Sequence, residues 1–195
     1  DLLIPIVKGW CTELGVEMAS IGIQVHGGMG YIEETGAAQH LRDARITPIY
    51  EGTNGIQAND LVGRKLLRDG GVAMSSLISE LHQYAAELDQ ANAFPGWNAR
   101  LQAGISQLKA ATDWLLDNGS QDPVQAVANC HHYMMLAGYV VGAGLMCRAA
   151  VVAQAALAAG STDSFYRSKI ATARFFLEQL LPRAAGHSES VLAGA

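Results

Sequence analysis

Leu3, Val7, Trp10, Leu14, Met18 and Ile21 recur at three- and four-residue intervals, the spacing of one face of an α-helix, and predict a helix reaching to about Val25. The glycine-rich run Gly27-Gly28-Met29-Gly30 should end it. A second helix is expected from about Glu34 to Arg45. Thr35 and the acidic Glu33 and Glu34 suit a helix start, and Arg42 and Arg45 suit its end, because each charge meets the favourable pole of the helix dipole. After the Thr47-Pro48 break a third helix should follow Glu51-Gly52-Thr53, carry Ile56, Leu61, Leu66 and Leu67 inward, and stop at Asp69-Gly70-Gly71. Beyond Gly71 the chain turns richer in Ala, Leu and Gln, which places a domain boundary between 1–71 and 72–195. Four further helices are expected, at about 72–91, 96–116, 123–159 and 162–182. They are parted by Phe94-Pro95-Gly96, by Asn118-Gly119 to Asp122-Pro123 and by Gly160-Ser161, and closed by Pro182. No segment alternates as a strand does and no repeat is visible, so the expected fold class is all-α, with the last four helices forming an up-and-down bundle.

Composition narrows the function classes. With 195 residues, 50% hydrophobic and 16% charged, the chain can bury one or two helical cores and is not a disordered segment. A formal charge of −5 without a basic stripe excludes nucleic acid as a partner. Cys11, Cys130 and Cys147 show neither CxxC pairing nor metal-ligand rhythm, so no metal is expected and a reduced, cytoplasmic setting is the default. Asp1 leads straight into Leu2-Leu3-Ile4-Pro5 without Met or leader, and the chain reads as a piece of something longer. The most apolar run, Tyr133 to Cys147, falls short of the roughly 20 residues a bilayer needs. It reads as a buried helix whose Gly138 and Gly142 let a neighbour approach closely. His131-His132 and Met134-Met135 are adjacent pairs that point in different directions on a helix, which suits core or surface filling rather than a shared metal.

Chemistry concentrates in two stretches at helix junctions: Gln24-Val25-His26-Gly27-Gly28-Met29-Gly30-Tyr31, and Ile49-Tyr50-Glu51-Gly52-Thr53-Asn54-Gly55-Ile56-Gln57. Glycines there let backbone amides approach a ligand such as a pyrophosphate, although a Gly-Gly-x-Gly turn is more commonly a helix stop. Glu51 suits the start of a helix on dipole grounds alone. As a general base it would need a partly apolar pocket, which Ile49 and Tyr50 could supply.

These two stretches, with Leu41-Arg42-Asp43-Ala44-Arg45 between them, closely resemble in order and spacing the C-terminal helical domain of the acyl-CoA dehydrogenases, over roughly residues 1 to 70. The resemblance implies that Glu51 abstracts the pro-R α-proton of an acyl-CoA thioester while the β-hydrogen leaves as hydride to FAD, giving a trans-2,3 double bond. It further implies that Gly52 contacts substrate, that Thr53, Asn54 and Gly55 touch FAD, and that Gln24, Val25, His26, Gly27 and Gly28 reach the FAD of a neighbouring subunit, with His26 acting through its backbone. Arg42, Asp43 and Arg45 share the pattern but read as a helix-end ion-pair network. Residues 72–195 resemble the helical extension of larger members, such as those acting on methylthio-propionyl-CoA. The implied whole is a homodimer or homotetramer that passes electrons to an electron-transferring flavoprotein or similar acceptor. The flavin-covering β-domain of the family is absent from these residues, so the isolated chain is expected to be inactive. An acyl-CoA oxidase-like flavoenzyme and a non-catalytic helical oligomerisation module are the competing readings.

Overall fold

A computed structural model of the chain describes residues 1–119 and 121–194. Ser120, in the break between the expected second and third helices of the extension, and the terminal Ala195 lie outside the described residues. Among the described residues the fold is all-α: α1 (Leu3–His26), α2 (Gly28–Tyr31), α3 (Ala37–Arg45), α4 (Asn54–Asn59), α5 (Val72–Ala91), α6 (Trp97–Gly119), α7 (Pro123–Ala128), α8 (Cys130–Ala158), α9 (Ser164–Phe175) and α10 (Arg183–Ala193). The second expected helix is shorter than its sequence suggests. Glu33–Thr35 forms a separate 3₁₀ turn, and Gly36, at φ 76°, parts it from α3.

The longest helix is the centre of the molecule. α8 packs against α1, α4, α5, α6, α9 and α10, burying Tyr133, Met134, Leu136, Ala137, Val140 and Cys147 among others. By length and composition α8 could cross a membrane; here more than half of its most apolar stretch is buried inside the bundle. Its glycines receive a neighbour, as the sequence suggests. A Cβ on Gly138 would lie 2.2 Å from Cγ of Trp10 on α1, and one on Gly142 would lie 2.7 Å from Cζ of Phe176. In return Gly9 of α1 makes room for the Met134 side chain. Segments 1–71 and 72–195 thus share one hydrophobic core.

Several expectations are corrected. On α1, Trp10 and Leu14 pack against the core, but Leu3, Val7, Met18 and Ile21 are exposed and Leu2, Ile6 and Gly9 face inward instead. α3, α8 and α4 all pack on α1, and together they still leave Leu3, Val7, Met18 and Ile21 outside. Ile56 is also exposed, whereas Leu61 and Leu66 are fully buried. In a regular α-helix residues five apart stand roughly 140° apart. The widened π-turns of Asp60–Leu67 bring Leu61, Val62 and Leu66 to one side. The same device recurs at Phe176–Leu180, where Phe176, Leu177 and Leu181 all point inward.

The expected 123–159 helix is divided at Asn129, a buried residue whose side-chain amide donates to the Gln125 carbonyl. Finally, Pro182 opens a helix rather than ending the fold. A proline is tolerated at a helix start, and α10 buries Ala184, Ser188 and Val191 against α8 and α6.

Candidate functional site

Glu51 sits on the connection between α3 and α4. Thr47 O–H and N–H both bond the Ala44 carbonyl, and the amides of Ile49 and Tyr50 both return to Ile46 O, so the chain coils tightly after α3. The amide of Asn54 then donates to Pro48 O at 2.9 Å, closing a loop over residues 48–54. At its tip Glu51 has φ 55° and Gly52 φ 84°. A left-handed backbone is costly for a side chain with a Cβ, so Glu51 is held there by its surroundings. One such restraint is Gln57, whose side-chain amide donates to the Glu51 carbonyl at 3.2 Å. Thr53 caps α4, accepting from Ile56 N.

Glu51 is exposed, and Ile49 and Tyr50 are each about half exposed, so residues of this chain do not close an apolar pocket around it. Gly52, Thr53 and Gly55 are also exposed, and a Cβ at Gly55 would meet nothing nearer than Thr53 Oγ1 at 3.9 Å. Asn54 behaves differently. Its side chain is buried and turned into α1, away from the outer surface of the loop, and its backbone N–H is taken up by Pro48 O. Beside the loop lies a cleft of about 400 Å³ lined by Glu13, Val16, Arg45, Pro48, Ile49, Thr53, Asn54 and Gly55. Arg45 belongs to the helix-end cluster read from sequence, whereas Lys8 and Glu13 were not singled out from sequence. Charged residues at the surface of a helix carry no local sign that a loop some 40 residues away will settle on them.

The second motif occupies the far end of α1. Gln24, Val25, His26, Gly27 and Gly28 are all exposed. Gly27 ends the helix at φ 61°, and a Cβ at either Gly27 or Gly28 would stand in open space. Gly30 is needed for another reason: a Cβ there would lie 2.4 Å from the Ile23 carbonyl oxygen. The His26 imidazole is held to its own helix through Nδ1 and Gly22 O at 2.9 Å. Thr35 donates to Met29 O at 2.7 Å and braces the turn. A groove of about 390 Å³ between α1 and α3 borders the motif, lined by Met18, Ala19, Gly22, His26, Thr35, Ala37 and His40. From Thr12, which touches the Glu51 loop, to Gln24 is about 18 Å along the helix axis. Within one chain the two motifs are therefore separate surfaces. Arg42 is engaged structurally, with Glu33 at 3.6 Å and with Gln39. Among the described residues no group of three His, Cys, Asp or Glu side chains could hold a metal.

Residues 2–67 match the family described as acyl-CoA dehydrogenase, C-terminal domain, and residues 77–195 match acetyl-CoA dehydrogenase C-terminal like. The chain is 46% identical to a 3-methylmercaptopropionyl-CoA dehydrogenase of Ruegeria pomeroyi, over 93% of this chain and 31% of that protein. It is 32% identical to a broad-specificity linear acyl-CoA dehydrogenase of Mycobacterium tuberculosis, over 93% of this chain and 31% of that protein. A butyryl-CoA dehydrogenase of Syntrophomonas wolfei is 27% identical, over 97% of this chain and 32% of that protein. The chain thus spans about a third of the length of the curated relatives it matches. With both segments matched, the chain belongs to the acyl-CoA dehydrogenase family, as C-terminal helical domains of it.

Proposed function

We propose that this chain contributes the catalytic base and part of the FAD site to an acyl-CoA dehydrogenase acting by α,β-dehydrogenation of a thioester. The observation that carries the reading is Glu51 itself, a carboxylate held on a braced loop tip at positive φ beside exposed Ile49, Tyr50 and Gly52. Strain of this kind at a polar residue is a feature of functional sites. Glu51 takes the proton from the carbon next to the thioester carbonyl, and Gly52, without a side chain, leaves room for the acyl group. Bound FAD would supply the redox chemistry by taking the β-hydrogen as hydride. The glycine surfaces fit that group: Gly27 and Gly28 at one end of α1, and Gly55 at the start of α4, present backbone with open space where a Cβ would otherwise stand. Since the two surfaces lie about 18 Å apart along one helix, two subunits each lending one of them to a shared FAD is the arrangement we favour, in a dimer or tetramer. Electrons would leave to an electron-transferring flavoprotein or similar acceptor, in the cytoplasm.

The test is anaerobic mixing of the full-length protein with a panel of acyl-CoAs. Bleaching of the flavin bands by acyl-CoA, abolished in Glu51→Gln with FAD content retained, supports the reading. Undiminished bleaching in Glu51→Gln moves the base elsewhere.

A further inference from the structure

We infer that Asn54 is a positioning residue for Glu51, acting through a charge-assisted anchor on α1 rather than by contact with cofactor or substrate. The inference rests on Glu51 being the base and deepens that reading.

From Glu51 to Ile56, Asn54 is the one buried residue, 5% exposed, while its neighbours on both sides are exposed. Its amide lies between a cation and an anion of the same helix. Oδ1 accepts from Lys8 Nζ at 2.8 Å, and Nδ2 donates to Glu13 Oε1 at 2.8 Å and to Thr12 Oγ1 at 2.9 Å. This arrangement sets which way the amide faces, since the flipped group would put its N–H against Lys8 and its oxygen against Glu13. Both outer bonds involve an ionised partner and are of the stronger class. Thr12 is in turn held by donating to Lys8 O at 2.7 Å.

The anchor bears on Glu51 through the backbone. The Asn54 amide closes the loop onto Pro48, and only Gly52 and Thr53 separate Asn54 from Glu51. Left-handed backbone at Glu51 persists only while both ends of the loop are pinned. Gln57 pins the Glu51 carbonyl and Asn54 pins the C-terminal end to α1. Lys8 and Glu13 therefore act on the base through Asn54 from positions 43 and 38 residues away. Misplacing a base by about 1 Å is enough to cost on the order of 100-fold in rate.

The experiment compares Asn54→Ala, Glu13→Ala, the double variant and Glu51→Gln in the full-length flavoprotein, measuring FAD content, KM and the rate of flavin reduction at saturating acyl-CoA. Asn54→Ala is expected to retain FAD and KM within about twofold while its reduction rate falls at least about tenfold. Glu13→Ala should lose less, and the double variant should be no slower than Asn54→Ala alone, because one anchor is being removed twice. If Asn54→Ala fails to fold, Glu13→Ala with wild-type reduction rate overturns the inference. So does Asn54→Ala with full FAD and an unchanged rate, and so does loss of FAD with an unchanged rate in the remaining holoenzyme, which would make Asn54 a cofactor ligand. A normal rate in Glu51→Gln removes the base and this inference together, whereas a dead Glu51→Gln beside a normal Asn54→Ala removes only the positioning role.

Discussion

At the scale of single residues, backbone conformation and close approach identify the positions where substitution costs most. Gly52 combines φ 84° with a Gln57 amide only 3.1 Å from where a Cβ would stand. Gly52→Ala should therefore destabilise the loop by about 1–3 kcal/mol, read as weakened flavin bleaching by substrate with little change in the global melt. Gly138 has no such freedom to relax, because its neighbour is the Trp10 ring attachment itself at 2.2 Å. Gly138→Ala should lower stability by roughly 1–3 kcal/mol or more in urea denaturation. A gentler case is Tyr133, fully buried, its phenol 2.8 Å from the Thr112 hydroxyl and pushed well above the usual range by burial. Tyr133→Phe removes one neutral hydrogen bond, and the Thr112 hydroxyl keeps the Leu108 carbonyl, so a loss of about 1 kcal/mol is expected from the same denaturation curve.

At the scale of elements, α8 carries the fold because other helices surround it. Truncating Leu136, which is fully buried on α8, should cost about 2–5 kcal/mol, through lost transfer energy and the cavity left behind. Leu145 lies on the same helix but is 51% exposed, and Leu145→Ala should stay within about 0.5 kcal/mol. Equal losses in urea denaturation would mean that α8 is not packed as described. The two π-turn segments explain how α4 and α9 continue into the core. Each lets three apolar residues spaced i, i+1, i+5 share one side, a spacing that a regular helix spreads apart.

At the scale of the whole molecule, α10 packs on α8 and α6 and its first residue reaches across to α1. Arg183 bonds Glu17 of α1 at 2.8 Å and reaches the Tyr139 hydroxyl at 3.4 Å, both of which hold its guanidinium charged. Next to it, His187 stacks on Tyr139 and meets His132 Nδ1 to Nδ1 at 3.1 Å. Burial, then the charges of His132, His131 and Arg183, lower the His187 pKa from 6.5 to about 4, and burial followed by His131 lowers that of His132. Both imidazoles are thus neutral in the folded state over a range where the unfolded chain already binds protons. The His187 contribution is fully present above pH 6.5 and is lost as pH falls from there towards about 4, and that of His132 is lost in the same direction. The melting temperature should therefore fall between pH 7 and 4.5 more steeply in the native chain than in His187→Phe, which keeps the ring against Tyr139 but cannot protonate. Parallel slopes would rule the pair out as a source of acid sensitivity.

The chain's own pattern determined the all-α class, helices at about 72–91 and 96–116, the second of which runs to Gly119 in the structure, the glycine and proline breaks between most helices, and the motif carrying Glu51. These are local properties: periodicity acts over three or four residues, and turn residues act where they stand. Which face of α1 is covered was decided elsewhere, by Met134, Gly138 and Gly142 more than 100 residues later. So was the direction of Asn54, whose partners lie up to 46 positions away on α1. α10 stayed hidden because its inward side is only Ala184, Ser188 and Val191, too small and too polar to show as an apolar stripe until α6 and α8 supply the opposing surface.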